Sequence, residues 1–123
     1  MILVDTSVWI DHLHQSESAL VGLLEQAQVC IHPMIIGELA LGSLRNRSAL
    51  LELLADLPGI PVATHSELLN FVESHTLYGL GLSLVDAHLL ASLRLAGSSQ
   101  LWTRDRPLHA AAGGLAIFAD FPT

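Results

Sequence analysis

Short apolar runs alternate with helix-patterned stretches along this chain. That alternation is what βαβ units and a parallel sheet require. Residues 1–5 form a short apolar run that predicts a buried strand, and Thr6 or Ser7 is placed to cap a helix reaching about His14. A second helix is predicted over 17–27, a strand from Val29 to His32, and a helix from Pro33 to near Gly42. Arg45 to Leu57 reads as a helix stopped by Leu57-Pro58-Gly59, Pro61–Ala63 as a third short strand, and His65 to about Tyr78 as helical. Ser83 to Ala96 is a strong helix closed by Gly97. Gln100–Thr103 is a strand, Asp105 caps a helix to Ala112, and Leu115–Ala119 is a last strand. The expected fold class is α/β with residues 1–123 as one domain, and open parallel sheets carry their functional groups beyond the carboxyl ends of their strands.

Composition narrows the chemistry. The 123 residues include 12 acids and 5 cations, for a formal net charge of −7. All five cations are arginine, so Schiff-base chemistry, a Walker-type phosphate loop and a lysine-dependent phospho-receiver site are excluded. The single cysteine, Cys30, lies in Val29-Cys30-Ile31, which suits a buried thiol and forbids an intrachain disulfide. The N-terminus lacks the pattern of a signal peptide, and no apolar stretch is long enough to span a bilayer, so a cytoplasmic protein is expected. Gly79-Leu80-Gly81 is a chain break, because the dinucleotide-binding pattern fails at Leu84.

Four acids fall where such a sheet presents function. Asp5 ends the first strand, Glu38 lies in the helix after the second, Asp86 in the first turn of a helix, and Asp105 directly follows a strand. Each has an ordinary structural reading. Ser83-Leu84-Val85-Asp86 is a capping-box pattern, and Asp105 and Asp5 are both placed as helix caps. Glu38 is the only charge between Glu25 and Arg45 and sits among Met34, Ile35, Ile36, Leu39 and Leu41. Burying an unpaired carboxylate there costs several kcal/mol unless a cation or a hydrogen-bond network compensates. The alternative is an exposed stripe on an otherwise buried helix. Clustered carboxylates without basic partners suit hard cations, Mg²⁺ or Mn²⁺.

Four segments carry a resemblance. They are Ile2-Leu3-Val4-Asp5-Thr6-Ser7-Val8-Trp9-Ile10, Ile35-Ile36-Gly37-Glu38-Leu39, Leu84-Val85-Asp86-Ala87-His88-Leu89-Leu90-Ala91 and Leu101-Trp102-Thr103-Arg104-Asp105-Arg106-Pro107-Leu108. In order and spacing they resemble the PIN domain, and within it the VapC-type toxins of bacterial toxin–antitoxin pairs. The resemblance implies a three-layer α/β/α sandwich with a central, mainly parallel sheet. It also implies a Mg²⁺- or Mn²⁺-dependent endoribonuclease, and the acidic composition favours a structured RNA target such as transfer RNA over tight generic binding. The resemblance maps the acidic quartet onto Asp5, Glu38, Asp86 and Asp105, with Thr103 as the hydroxyl beside the last acid. Proline and leucine follow Arg106, where an Asp-Phe pair is frequent in the family. The implied partners are RNA, a VapB-type antitoxin and a second copy of the chain, with the helices at 17–27 and 45–57 as candidates for the antitoxin groove.

An acidic, lysine-free chain is an unusual RNA binder, because phosphate contacts normally need Lys and Arg. One divalent cation would offset two of the seven net negative charges. Arg45, Arg47, Arg104 and Arg106 are the candidates to line an RNA path. Other readings are a PIN nuclease of RNA processing without an antitoxin and a catalytically silent PIN module. A phosphatase of the haloacid dehalogenase type needs an acid where Ser7 stands, and the seven histidines lack H-E-x-x-H spacing.

Overall fold

The computed structural model describes residues 1–121. In chain order the elements are β1 (Ile2–Val4), α1 (Thr6–His14), α2 (Ser18–Glu25), β2 (Val29–Cys30), α3 (Pro33–Ala40), α4 (Arg47–Asp56), α5 (His65–Ser74), α6 (Leu84–Ala96), β3 (Gln100–Trp102) and α7 (Arg106–Gly114). The sheet order is β2-β1-β3, with both pairings parallel. Helices flank this sheet to give the α/β/α arrangement.

Two expected strands shrink to single bridges, each for a local reason. The run Pro61–Ala63 forms no strand. Its sheet contact moves to Gly59, which bridges Ile31 in parallel, and Pro61 has no N–H to give a ladder. The Ala63 N–H is taken instead by the Ser92 hydroxyl at 3.2 Å. At the other edge, Phe118 bridges Leu101 in parallel. The stretch from Leu115 cannot extend earlier, because Leu115 caps α7 and Ala116 holds φ at 59°. These bridges extend the sheet by one parallel chain on each side of the described strands.

Helix ends moved inward where left-handed residues stop them. Ala27, Asn46 and Thr76 all have positive φ, so α2 ends before residue 27, α4 begins after residue 46 and α5 ends before residue 76. The capping box expected at Ser83 is present, as is one at Thr64 with Glu67.

The core is continuous under the sheet. Leu3 and Val4 from β1, Leu101 and Trp102 from β3, and Trp9, Leu20, Ile35, Leu89, Leu90 and Leu93 from the helices are all buried. Cys30 is buried in this core, and burial pushes its thiol pKa up. Two polar atoms in the interior have no hydrogen-bond partner among the described residues, Trp9 Nε1 and His88 Nδ1.

One buried polar network links α3 to α6. His32 is fully buried and is the N-cap of α3, its Nδ1 accepting the Met34 N–H at 3.0 Å. That acceptor role leaves the ring proton on Nε2, which faces the Ser92 hydroxyl at 3.0 Å. Burial, then the neighbouring His88, lowers the His32 pKa from 6.5 to about 4. The neutral ring is therefore the form that fits the fold. Its stabilisation is complete above the ordinary imidazole pKa and is lost as pH falls from 6.5 towards about 4. At about 1.4 kcal/mol per unit, the loss across that window is about 3 kcal/mol. Urea unfolding between pH 7 and 4 will show the wild type losing stability more steeply than His32→Asn, which retains a capping oxygen but does not titrate. Equal slopes would refute the assignment.

Candidate active site

The site starts where β1 and β3 end side by side. The register pairs Ile2 with Gln100, Leu3 with Leu101 and Val4 with Trp102. One step further sets Asp5 opposite Thr103, and the Asp5 N–H still donates to the Trp102 carbonyl at 2.9 Å. Asp5 occupies the N-cap position of α1 without capping it through its side chain. Its carboxylate turns across the strands instead. Oδ2 accepts the Thr103 hydroxyl at 2.8 Å and the Ser7 hydroxyl at 2.8 Å. The Arg104 N–H donates to Ser7 Oγ and the Asp105 N–H to Thr103 Oγ1, both at 3.1 Å. Asp5 is only 5% exposed, so its charge is held in place by hydroxyls that are themselves aimed by the backbone.

Thr103 was anticipated as a supporting hydroxyl, but Ser7 was not. In the sequence Ser7 stands as a candidate helix cap. The available signal was its place two residues after a strand-end acid at the start of a helix, which returns its hydroxyl to that acid.

Asp86 and Asp105, both candidate site acids, accept hydrogen bonds at helix starts. Asp86 Oδ2 accepts the Ser83 N–H at 3.0 Å, and Asp105 Oδ2 accepts the Leu108 N–H at 3.1 Å. The capping readings are therefore correct descriptions of both. The electrostatics add a second role to Asp86. Burial raises its pKa above the usual carboxylate value, the Ser83 hydrogen bonds oppose this, and the charges of Asp105 and Asp5 raise it further. Asp5 and Asp105 thus both lie within electrostatic reach of Asp86.

Glu38 is not a buried carboxylate; the exposed stripe, the alternative given above, is what the structure shows. It is exposed on α3 beside Met34, Gly37 and Leu41. What fixes it is the Thr6 hydroxyl, which donates to Oε1 at 2.7 Å. Thr6 directly follows Asp5, so Glu38 is tied to the same corner from the α3 side.

The donor set fits a hard divalent cation. The Asp5 hydroxyl bonds both use Oδ2, leaving Oδ1 for a further ligand, and the like charges around Asp86 favour a cation between them. Among the described residues, however, no three His, Cys, Asp or Glu side chains already close on one point. Asp5, Asp86, Asp105 and Glu38 would hold the ion only after the capping carboxylates re-aim.

The arginines divide by engagement. Arg104 is ion-paired to Asp11 and Glu17, both at 2.7 Å, and its guanidinium lies 5.6 Å from the Trp102 ring centroid. Arg47 reaches back to the Gly42 carbonyl. Arg106 and Arg45 are exposed, and Arg45 borders the same cleft as Glu38.

The electrostatics of Asp86 make a direct prediction. A carboxyl with a raised folded-state pKa binds protons more tightly in the fold, so its contribution to stability falls as pH rises through that pKa and stays low at neutrality. Asp86→Asn preserves an oxygen for the Ser83 N–H and removes the charge. In chelator at pH 7 it will melt a few degrees higher than wild type, and a lower melting temperature would contradict the repulsion.

The sequence comparisons identify the family. Residues 2–114 match the PIN domain. The chain is 52% identical over 111 residues to Ribonuclease VapC32 of Mycobacterium tuberculosis, strains CDC 1551 / Oshkosh and ATCC 25618 / H37Rv, covering 90% of each chain. On its fold and on the extent of these matches, the chain belongs to the PIN domain family.

Proposed function

We propose that the protein is a Mg²⁺- or Mn²⁺-dependent endoribonuclease acting as the toxin of a toxin–antitoxin pair. The observation that carries this reading is the buried Asp5 carboxylate, fixed by Ser7 and Thr103 and close enough to Asp86 for its charge, with that of Asp105, to act on it. The relatives bearing the name Ribonuclease VapC32 support the substrate class.

In this reading Asp5 and Asp86 form the core of the cation site, and Asp105 and Glu38 complete it directly or through water. The cation, when bound, lowers the pKa of water and offsets charge on the scissile phosphate. Ser7 and Thr103 hold Asp5 in one orientation, so its free oxygen needs little reorganisation. Glu38 keeps Oε2 clear of the Thr6 hydroxyl, and this oxygen orients the attacking water and takes its proton. The water oxygen forms a bond to phosphorus while the bond from phosphorus to O3′ breaks. The leaving oxygen takes up a proton from solvent, giving 3′-hydroxyl and 5′-phosphate ends.

The substrate in this reading is a structured RNA such as transfer RNA, and its cleavage would arrest translation. The partners are a VapB-type antitoxin and a second copy of the chain. Leu53, exposed on α4, lies within the 45–57 stretch named above as a candidate for the antitoxin groove. No helix among the described residues is long and apolar enough to cross a membrane, which is consistent with a cytoplasmic site of action.

Cleavage of total RNA and of purified transfer RNA by metal-loaded protein tests the proposal. Asp5→Asn and Asp86→Asn will each lower the rate at least 100-fold. Chelator will abolish cleavage, and added Mg²⁺ or Mn²⁺ will restore it. Mg²⁺ will also raise the melting temperature of the wild type more than that of either variant. Undiminished cleavage by the two variants would refute the site.

A further inference from the structure

A cleft of about 490 Å³ opens beside the acid corner, between α1, α3 and the loop joining α3 to α4. On one wall α1 presents Ile10, Leu13 and His14, which are three and four residues apart and so share a helical face. Val8 and Trp9 of the same helix are buried, whereas Ile10 is 45% and Leu13 43% exposed. Glu38, hydrogen-bonded to the Thr6 hydroxyl next to Asp5, lines the cleft, as does Arg45 from the loop between α3 and α4.

We infer that this cleft seats one unpaired nucleobase of the RNA next to the scissile phosphate, with Arg45 meeting a neighbouring phosphate. The inference rests on the ribonuclease reading and adds a specificity site to it. Three observations carry it. The first is continuity, since Glu38 belongs both to the cleft and to the acid corner. A strand whose phosphate lies at the acids would bring an adjacent base here.

The second is the chemistry of the walls. Branched aliphatic side chains, an imidazole and a guanidinium together suit a flat ring with apolar faces and polar edges, as in recognition of unstacked bases. The volume lies within the roughly 300–1,000 Å³ usual for sites that enclose a small ligand.

The third is the disposition of charge. Arg104 is committed to Asp11 and Glu17, Arg94 to the Leu115 carbonyl and Arg47 to the Gly42 carbonyl. Among the described residues Arg45 and Arg106 make no such contact, and of these two it is Arg45 that borders the cleft shared with Glu38. A cation placed one nucleotide away from the acids positions the backbone, and the apolar wall reads the base.

The test separates this site from the catalytic proposal. Full-length protein without divalent metal is titrated with adenosine, guanosine, cytidine and uridine 5′-monophosphates while the Ile10 and Leu13 methyl and His14 imidazole resonances are followed. At least one nucleotide will shift these signals together, and Arg45→Ala and Arg45→Gln will weaken its binding at least fivefold. Leu13 is exposed, so Leu13→Ala should fold, and in cleavage assays it will flatten the base preference at one position beside the cut. Arg45→Ala will raise KM at least fivefold with a smaller change in kcat. Methyl signals unmoved by all four nucleotides would overturn the inference. So would Leu13 and Arg45 variants that lose binding of a protein partner while KM and base preference for RNA stay at wild-type values. If the metal-loaded protein cleaves no RNA yet nucleotides still move the cleft signals, the ribonuclease proposal fails and the nucleobase site stands.

Discussion

The seam between β1 and β3 is the constraint on which the rest of the site depends. The strands pair in parallel over three residues. The next residue on each side, Asp5 and Thr103, continues the pairing through side chains. Ser7 closes this seam by donating to Asp5 and accepting from the Arg104 amide. A buried anion is costly unless its hydrogen bonds are made, and here two hydroxyls and an ordered backbone make them. The helix that follows each strand then brings its own acid or tether into range: α1 begins with Thr6, which holds Glu38, and α7 begins at the Asp105 cap.

Charge is distributed unevenly around that seam. Asp86 sits where its own charge is disfavoured by burial and by two neighbouring acids. The arginine closest in sequence to Asp105 on its N-terminal side does not relieve this. Arg104 pairs with Asp11 and Glu17 and so secures the turn between α1 and α2. The corner is left as a concentration of negative charge in a protein of net charge −7. A divalent cation is the natural counterweight, and its charge would ease the approach of RNA phosphate to such a corner.

Much of this was legible in the sequence, and the losses have physical causes. The strand at 1–5, the capping box at Ser83 and the order of α/β elements followed from apolar periodicity and cap chemistry. The edge strands did not, because Pro61 and the left-handed Ala116 interrupt runs that look extended in composition alone. Among the acids, the helix-cap readings of Asp86 and Asp105 and their proximity to one another are both true, since one oxygen can cap while the charge acts on its neighbours. Glu38 was argued from its apolar neighbours, yet α3 turns it outward. Its tether to Thr6 crosses 32 positions, a relation that local pattern cannot reveal. Ser7 was undervalued for a similar reason: its partners Thr103 and Arg104 lie at the far end of the chain.

The parallel pairing of β1 with β3 has a consequence for folding as well as for chemistry. Side chains alternate faces along a strand, so slippage by a single residue would turn Asp5 away from Thr103 and move Leu3 out of the core. A chain that has collapsed in the wrong alignment would still contain all four acids, but not the corner they share. On the proposed reading, activity would be withheld until long-range assembly is complete, and the acid corner would serve as an internal check on correct folding.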